Sequence, residues 1–152
     1  GAKLVHLSTD CVFSGKKGSY IESDIKDADG VLLEDVGLLQ DVRNALGKEA
    51  IIGLSCGSDR NQAQKAKELD FDFVKLVADP PLISWFSSQS DIMIVTCGKG
   101  ITNDNCASLV QAGAGFLDVS DYIMGYKKGV MQGTVNVMHA IELATQVKGS
   151  VN

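Results

Sequence analysis

The sequence predicts an α/β fold, a parallel sheet of about six strands with flanking helices. Three observations point there. From Gly30 onward one unit recurs: a short apolar strand, a polar turn and an amphipathic helix. Successive strands begin about 20 to 24 residues apart, the length a βα unit requires. The strands are near-continuous apolar runs, the pattern of a parallel sheet covered on both faces.

A first strand is expected at Lys3–Leu7, but the segment behind it has a different texture. Ser8-Thr9-Asp10, the apolar Cys11–Phe13 and the Gly/Lys/Ser turn Ser14–Ser19 lead into acidic residues at Glu22, Asp24, Asp27 and Asp29. No amphipathic helix connects Lys3–Leu7 to the next strand. The βα rhythm fails there, and a junction is expected between about Asp24 and Gly30 within a single α/β domain spanning residues 1–152.

The regular strands follow at Val31–Leu33, Ile51–Ser55, Phe73–Ala78, Ile92–Cys97 and Phe116–Ser120. The helices between them carry their own punctuation. Asp35 suits the N-cap of a helix ending at Gly47. Ser58 or Asp59 suits the Gln62–Leu69 helix, and Thr102 or Asn103 a helix ending near Gly113. Pro80-Pro81 opens a segment in which Trp85 and Phe86 pack as helix residues. The last helix, about Val130–Val147, presents Val130, Val137, Met138, Ile141 and Ala144 at helical spacing. Five or six parallel strands do not close the usual eight-stranded barrel. A partial barrel and an open flavodoxin-like sheet both remain, and two copies pairing as a homodimer would cover exposed sheet edges.

Composition excludes several classes. The chain has 152 residues, 45% hydrophobic and 22% charged, ordinary values for a globular domain with a sizeable core. A net charge of −5 argues against nucleic acid or an anionic membrane as the main partner. No run reaches the roughly 18 to 20 apolar residues that a bilayer span takes, and no signal peptide opens the sequence. The four cysteines, Cys11, Cys56, Cys97 and Cys106, form no C-x-x-C pair and read as reduced thiols of a cytoplasmic protein.

The chemistry concentrates in Val95-Thr-Cys-Gly98-Lys-Gly100-Ile-Thr102, with Ser120 eighteen residues further on. Glycines let backbone N–H groups approach an anion, and the following helix would add a favourable dipole. Adjacent strand ends of this kind commonly hold one phosphate in parallel α/β proteins. Gly98, Gly100, Ile101 and Ser120 are therefore the candidate phosphate-binding residues, with Lys99 as an added charge and a phosphorylated small molecule as the ligand. A Gly-rich turn without a ligand is the plain alternative.

Ser55 could donate into the same face or simply belong to a capping turn. Glu34 and Asp35 could ligate Mg²⁺ and bridge to a pyrophosphate, against the simpler role of Asp35 as an N-cap. Neither a Walker loop nor a G-x-G-x-x-G helix opening is present. His6 and His139 are far apart in sequence and suggest no transition-metal site.

Two resemblances rest on these residues. Ala28-Asp-Gly-Val-Leu-Leu33, Ile51-Ile-Gly-Leu-Ser55, Gly98-Lys-Gly-Ile-Thr102 and Ala112-Gly-Ala-Gly-Phe-Leu-Asp-Val-Ser120 together resemble the second half of thiamine-phosphate synthase, a (β/α)₈ barrel family. The resemblance covers residues of about 27–147 and implies a sheet derived from that barrel. The family couples a pyrimidine pyrophosphate to a thiazole phosphate with Mg²⁺ and loss of pyrophosphate. By motif position it implies that Gly100 and Ser120 meet the thiazole phosphate, Ser55 the pyrophosphate side and Asp35 the metal. The family's Gln-x-Arg and Asn-Asp strands have no counterpart in this sequence. Its Thr- and Lys-bearing loop is replaced by Ala78-Asp-Pro-Pro-Leu82. Weak or absent coupling activity is the expectation.

Leu7-Ser-Thr-Asp-Cys-Val-Phe-Ser-Gly-Lys-Lys-Gly-Ser-Tyr20, through Glu22-Ser-Asp24, is similar to a strand and loop of extended short-chain reductases of the dTDP-4-dehydrorhamnose type. That resemblance would make Thr9 a catalytic hydroxyl beside a Tyr-x-x-x-Lys pair. Tyr122 is followed four residues later by Tyr126, not Lys, so the pair is missing. Joining the two resemblances gives the expectation of a chimera. An α/β scaffold without a physiological ligand is the other reading.

Overall fold

The structure is a computed structural model that describes residues 30–149 except Lys99, with side chains described as far as Leu143. The strand expected at Lys3–Leu7, the reductase-like segment with Thr9, His6 and Cys11 all lie outside the described residues, as does the expected junction up to Asp29.

Five strands form one parallel sheet: β1 (Gly30–Leu33), β2 (Ile51–Gly57), β3 (Phe73–Val77), β4 (Met93–Cys97) and β5 (Phe116–Leu117). Their order is β1-β2-β3-β4-β5. That order decides between the two sheets the sequence allowed. A flavodoxin-like sheet reverses direction at a switch point and separates strands that follow one another in the chain. Here each strand lies beside the next, which is barrel order. The chain divides into two compact units, one ending at Lys75 and the other starting at Leu76.

In the first unit β1 pairs with β2, from Gly30 opposite Ile51 to Leu33 opposite Leu54. Ile52 and Leu54 are fully buried. Asp35 accepts from the Gly37 N–H at 2.8 Å and opens a 3₁₀ turn at Val36–Leu38, which continues into α1 (Leu39–Leu46). Asp59 caps α2 (Arg60–Glu68) through the N–H groups of Asn61 and Gln62, and α2 buries Ala63 and Ala66. Arg43 ties this unit together. Its guanidinium donates to the carbonyls of Ala50 and Asp70 and to Asp72 Oδ2, while the same Asp72 oxygen accepts from the Ile52 N–H at 2.7 Å.

In the second unit Asp79 caps α3 (Pro80–Ser87), with proline at the first helical position where no N–H is needed. Leu82, Ile83 and Phe86 face the core; Trp85 is half-buried, its ring 6.1 Å from Phe86. β4 buries Ile94, Val95 and Thr96, and the fully buried Thr96 hydroxyl donates to the Phe116 carbonyl at 3.3 Å. α4 (Cys106–Ala112) packs against α3 and α6, and α5 (Ser120–Met124) against α6 (Val130–Gly149). On α6 Val137 is buried, whereas Val130 and Met138, expected on the same face, are exposed, as are Met131 and Val135. His139 is exposed on this helix.

Two expected boundaries shift with consequences for the site. β5 spans only Phe116–Leu117, so Ser120 is the first residue of α5 and not the end of a strand. β2 runs on to Gly57, so Ser55 sits inside a strand and half-buried rather than at a strand end.

Candidate functional site

β4 and β5 run parallel, with Val95 opposite Phe116 and Thr96 opposite Leu117. The Asp118 N–H continues the ladder to the Thr96 carbonyl at 2.8 Å. The segments that leave these strands, Gly98–Asn105 and Asp118–Ser120, therefore emerge at one edge of the sheet. This register places Gly98, Gly100 and Ile101 after β4 and Ser120 after the neighbouring β5.

Gly98 and Gly100 have φ of +130° and +132°, conformations that side-chain-bearing residues rarely adopt. A Cβ at either position would meet nothing within 4 Å, so the backbone faces open space. Ile101, 2% exposed, anchors the turn in the core. Beyond it Asn105 braces the loop, its Nδ2 donating to the Gly100 carbonyl at 2.6 Å and its Oδ1 accepting from the Thr102 N–H at 2.8 Å. The Thr102 hydroxyl accepts from the Asp104 N–H. Among the described residues the Gly100 and Ile101 N–H groups have no hydrogen-bond acceptor. Two N–H groups without a described acceptor, in a braced, glycine-shaped turn, are donors of the kind that backbone anion sites use.

Two features differ from the expected design. α4 begins at Cys106 behind an N-cap at Asn105, not at Thr102 or Asn103. The Gly100 and Ile101 N–H groups lie ahead of the first helical turn, so their own dipoles, not the helix, supply the positive potential. At Ser120 both donors are already engaged. The hydroxyl donates to Asp118 Oδ1 at 2.6 Å, and the N–H donates to the same oxygen at 3.2 Å. An anion that used Ser120 would have to displace the Asp118 carboxylate and tolerate its charge.

The other two nominated residues fall in the first unit. Asp35 has one carboxylate oxygen committed to the Gly37 N–H. Ser55 lies within β2. Among the described residues no three His, Cys, Asp or Glu side chains group together as a cation cage. A capping carboxylate alone does not fit a protein-built Mg²⁺ site.

Sequence reasoning missed the bracing residues. Asp118 and Ser120 have the i, i+2 spacing of an Asx turn, a signal that was present. Asn105 carried no such mark, because its partners are set by the loop's path. Tyr122 donates to Asn103 Oδ1 at 2.8 Å and so links α5 to the loop. Burial pushes its phenol above the ordinary value, which keeps it a donor. The same cause pushes Cys106 up and takes Cys56, with a smaller contribution from Asp59, to about 12. Neither is a nucleophile near neutral pH.

Comparison with known proteins places this architecture. The likeness is to thiamine-phosphate synthase, and it is partial. The chain is 40% identical to that enzyme from Erythrobacter litoralis, with 61% of this chain and 51% of the relative covered. The enzyme from Rhodospirillum centenum is 31% identical, with 59% and 49% covered. That from Lawsonia intracellularis is 40% identical, with 57% and 46% covered. The chain thus spans about half the length of the curated relatives it matches. No family model matches it.

Among solved structures, thiamine phosphate pyrophosphorylase from Pyrococcus furiosus superposes with a TM-score of 0.65 at 21% identity, covering 78% of this chain and 61% of that one. L-talarate dehydratase from Polaromonas gives 0.59 at 13% identity, covering 88% and 42%. These likenesses show the fold: an α/β, barrel-like parallel sheet. Among the described residues no helix is long and apolar enough to cross a membrane.

Proposed function

We propose that this chain is a phosphate-binding thiamine-phosphate synthase-like protein or fragment, weakly active or inactive in coupling. In this reading the Gly98–Ile101 turn holds the phosphate of a phosphorylated small molecule. The observation that carries it is the glycine-shaped turn after β4, with positive φ at Gly98 and Gly100 and no described acceptor for the Gly100 and Ile101 N–H groups. The relatives supply the ligand class, since thiazole phosphate is the substrate the resemblance implies for this turn. Asp118 explains why binding would be weak, because it holds both donors of Ser120. Among the described residues no carboxylates group with Asp35 into a Mg²⁺ cage, so the reading is built on phosphate binding.

The test is a titration of thiazole phosphate, and then inorganic phosphate, into ¹⁵N-labelled protein. Saturable shifts centred on Gly98–Thr102 and Ser120 support the reading and justify a coupling assay. A folded spectrum unmoved at millimolar ligand removes it and leaves a scaffold without this ligand. A homodimer belongs to the same proposal, on the ground that Met131, Val135 and Met138 recur at i, i+4, i+7 on the exposed side of α6. A single monomeric species in light scattering at high concentration would count against that part.

A further inference from the structure

A second feature of the same unit lies beyond the phosphate turn. Between α5 and α6 the chain passes through Gly125-Tyr126-Lys127-Lys128-Gly129. Here a cleft of about 390 Å³ is lined by Asp121, Tyr122, Gly125, Tyr126, Lys127 and Lys128. That volume falls in the range of small-molecule sites.

The two tyrosine rings, four residues apart in the chain, stand 5.3 Å between centroids and 51° between planes. Each is held at its polar end. Tyr122 donates to Asn103 at 2.8 Å, and Tyr126 accepts from Asn136 Nδ2 at 2.6 Å. Tyr126 is also fixed at its base, because α6 passes so close that a Cβ on Gly133 would sit 2.9 Å from the Tyr126 Cβ. Rings fixed before a ligand arrives lose little freedom when it binds.

Charge narrows the ligand. Lys127 and Lys128 are exposed beside the rings, and Asp121 is the one acid among the lining residues. Two lysines against one aspartate leave the lining at +1 in a chain whose net charge is −5. A cation over a tyrosine face would be repelled by the lysines. A flat ring bearing an anionic group meets both halves of the cleft, its plane on the phenol rings and its charge at the ammonium groups.

We propose that this cleft binds an anionic aromatic small molecule, with its ring on the Tyr122–Tyr126 pair and its anionic group at Lys127 and Lys128. The proposal does not depend on the phosphate turn, and one experiment separates the two. Adenosine monophosphate is titrated into the ¹⁵N-labelled full chain, with adenosine and inorganic phosphate as matched controls.

The expected result is saturable movement of the Asp121–Gly129 amides with the nucleotide, at lower concentration than with either control. The exposed-site variant Lys127→Gln/Lys128→Gln should weaken it about tenfold, the scale of a lost charge-assisted contact. Gly133→Ala should weaken it by displacing Tyr126. Shifts confined to Gly98–Ile101 and Ser120, equal binding of adenosine, or no saturable movement at millimolar nucleotide would each overturn the proposal. Because the wild-type titration decides, a variant that fails to fold does not rescue it.

Discussion

Asp118→Asn is the most direct test of the proposed phosphate binding at the Gly98–Ile101 turn. Asp118 Oδ1 lies 2.6 Å from Ser120 Oγ. A phosphate oxygen taking that hydroxyl's proton at about 2.7 Å would sit roughly 4.5 Å from the carboxylate. Two unit charges at roughly that distance repel by about 1 kcal/mol in bulk water and about 4 kcal/mol at the effective dielectric of a protein surface. Neutralising Asp118 should therefore tighten phosphate binding by between about fivefold and a few hundredfold. Asparagine keeps an oxygen for the Ser120 N–H, so the first turn of α5 is preserved. Asp118→Ala frees both donors but costs about 1 kcal/mol of helix-start stability. The assay is inorganic phosphate titration at constant ionic strength, followed by amide shifts, with a thermal melt as the folding control. Unchanged or weaker phosphate binding in a fully folded Asp118→Asn protein would refute the role assigned to Ser120 and Asp118.

Gly98→Ala meets no steric obstacle but a backbone near φ +130°, so it should cost about 1–3 kcal/mol and distort the turn. Urea unfolding and phosphate titration would show both losses together. Arg43→Met keeps the aliphatic stem and loses the guanidinium contacts with Ala50, Asp70 and Asp72. A loss of about 2 kcal/mol in urea unfolding is expected, and a change within about 0.5 kcal/mol would contradict the bracing role. The Cys56 thiol, pushed up from 9.0 to about 12, holds its proton more tightly folded than unfolded. Its contribution to stability is complete below pH 9 and lost as pH rises from there toward 12, which unfolding curves across that window would record. At pH 8, iodoacetamide should label half-buried Cys97 before buried Cys56 and Cys106, as peptide mass spectrometry would show.

Much of this architecture was legible because it rests on local rules. Apolar strands at βα spacing, the caps at Asp35 and Asp59, and glycines where the backbone takes positive φ all follow from neighbours a few residues away. The sequence by itself therefore determined the alternation of strands and helices from Gly30 to α4, the parallel α/β class and the glycine turn after β4. Only the tertiary structure decided what depends on distant partners. The position of β3 beside β2, not beside β1, selected barrel order over a flavodoxin-like sheet, and strand pairing is a long-range choice that no local pattern encodes. The end of β5 at Leu117 placed Ser120 on a helix and delivered its donors to Asp118. The turn after α5 formed a cleft from Tyr122, Tyr126 and two lysines, of which the tyrosines read in sequence only as an incomplete motif. Hydrogen bonds and clefts belong to side chains that meet across the fold, and that meeting is set by packing.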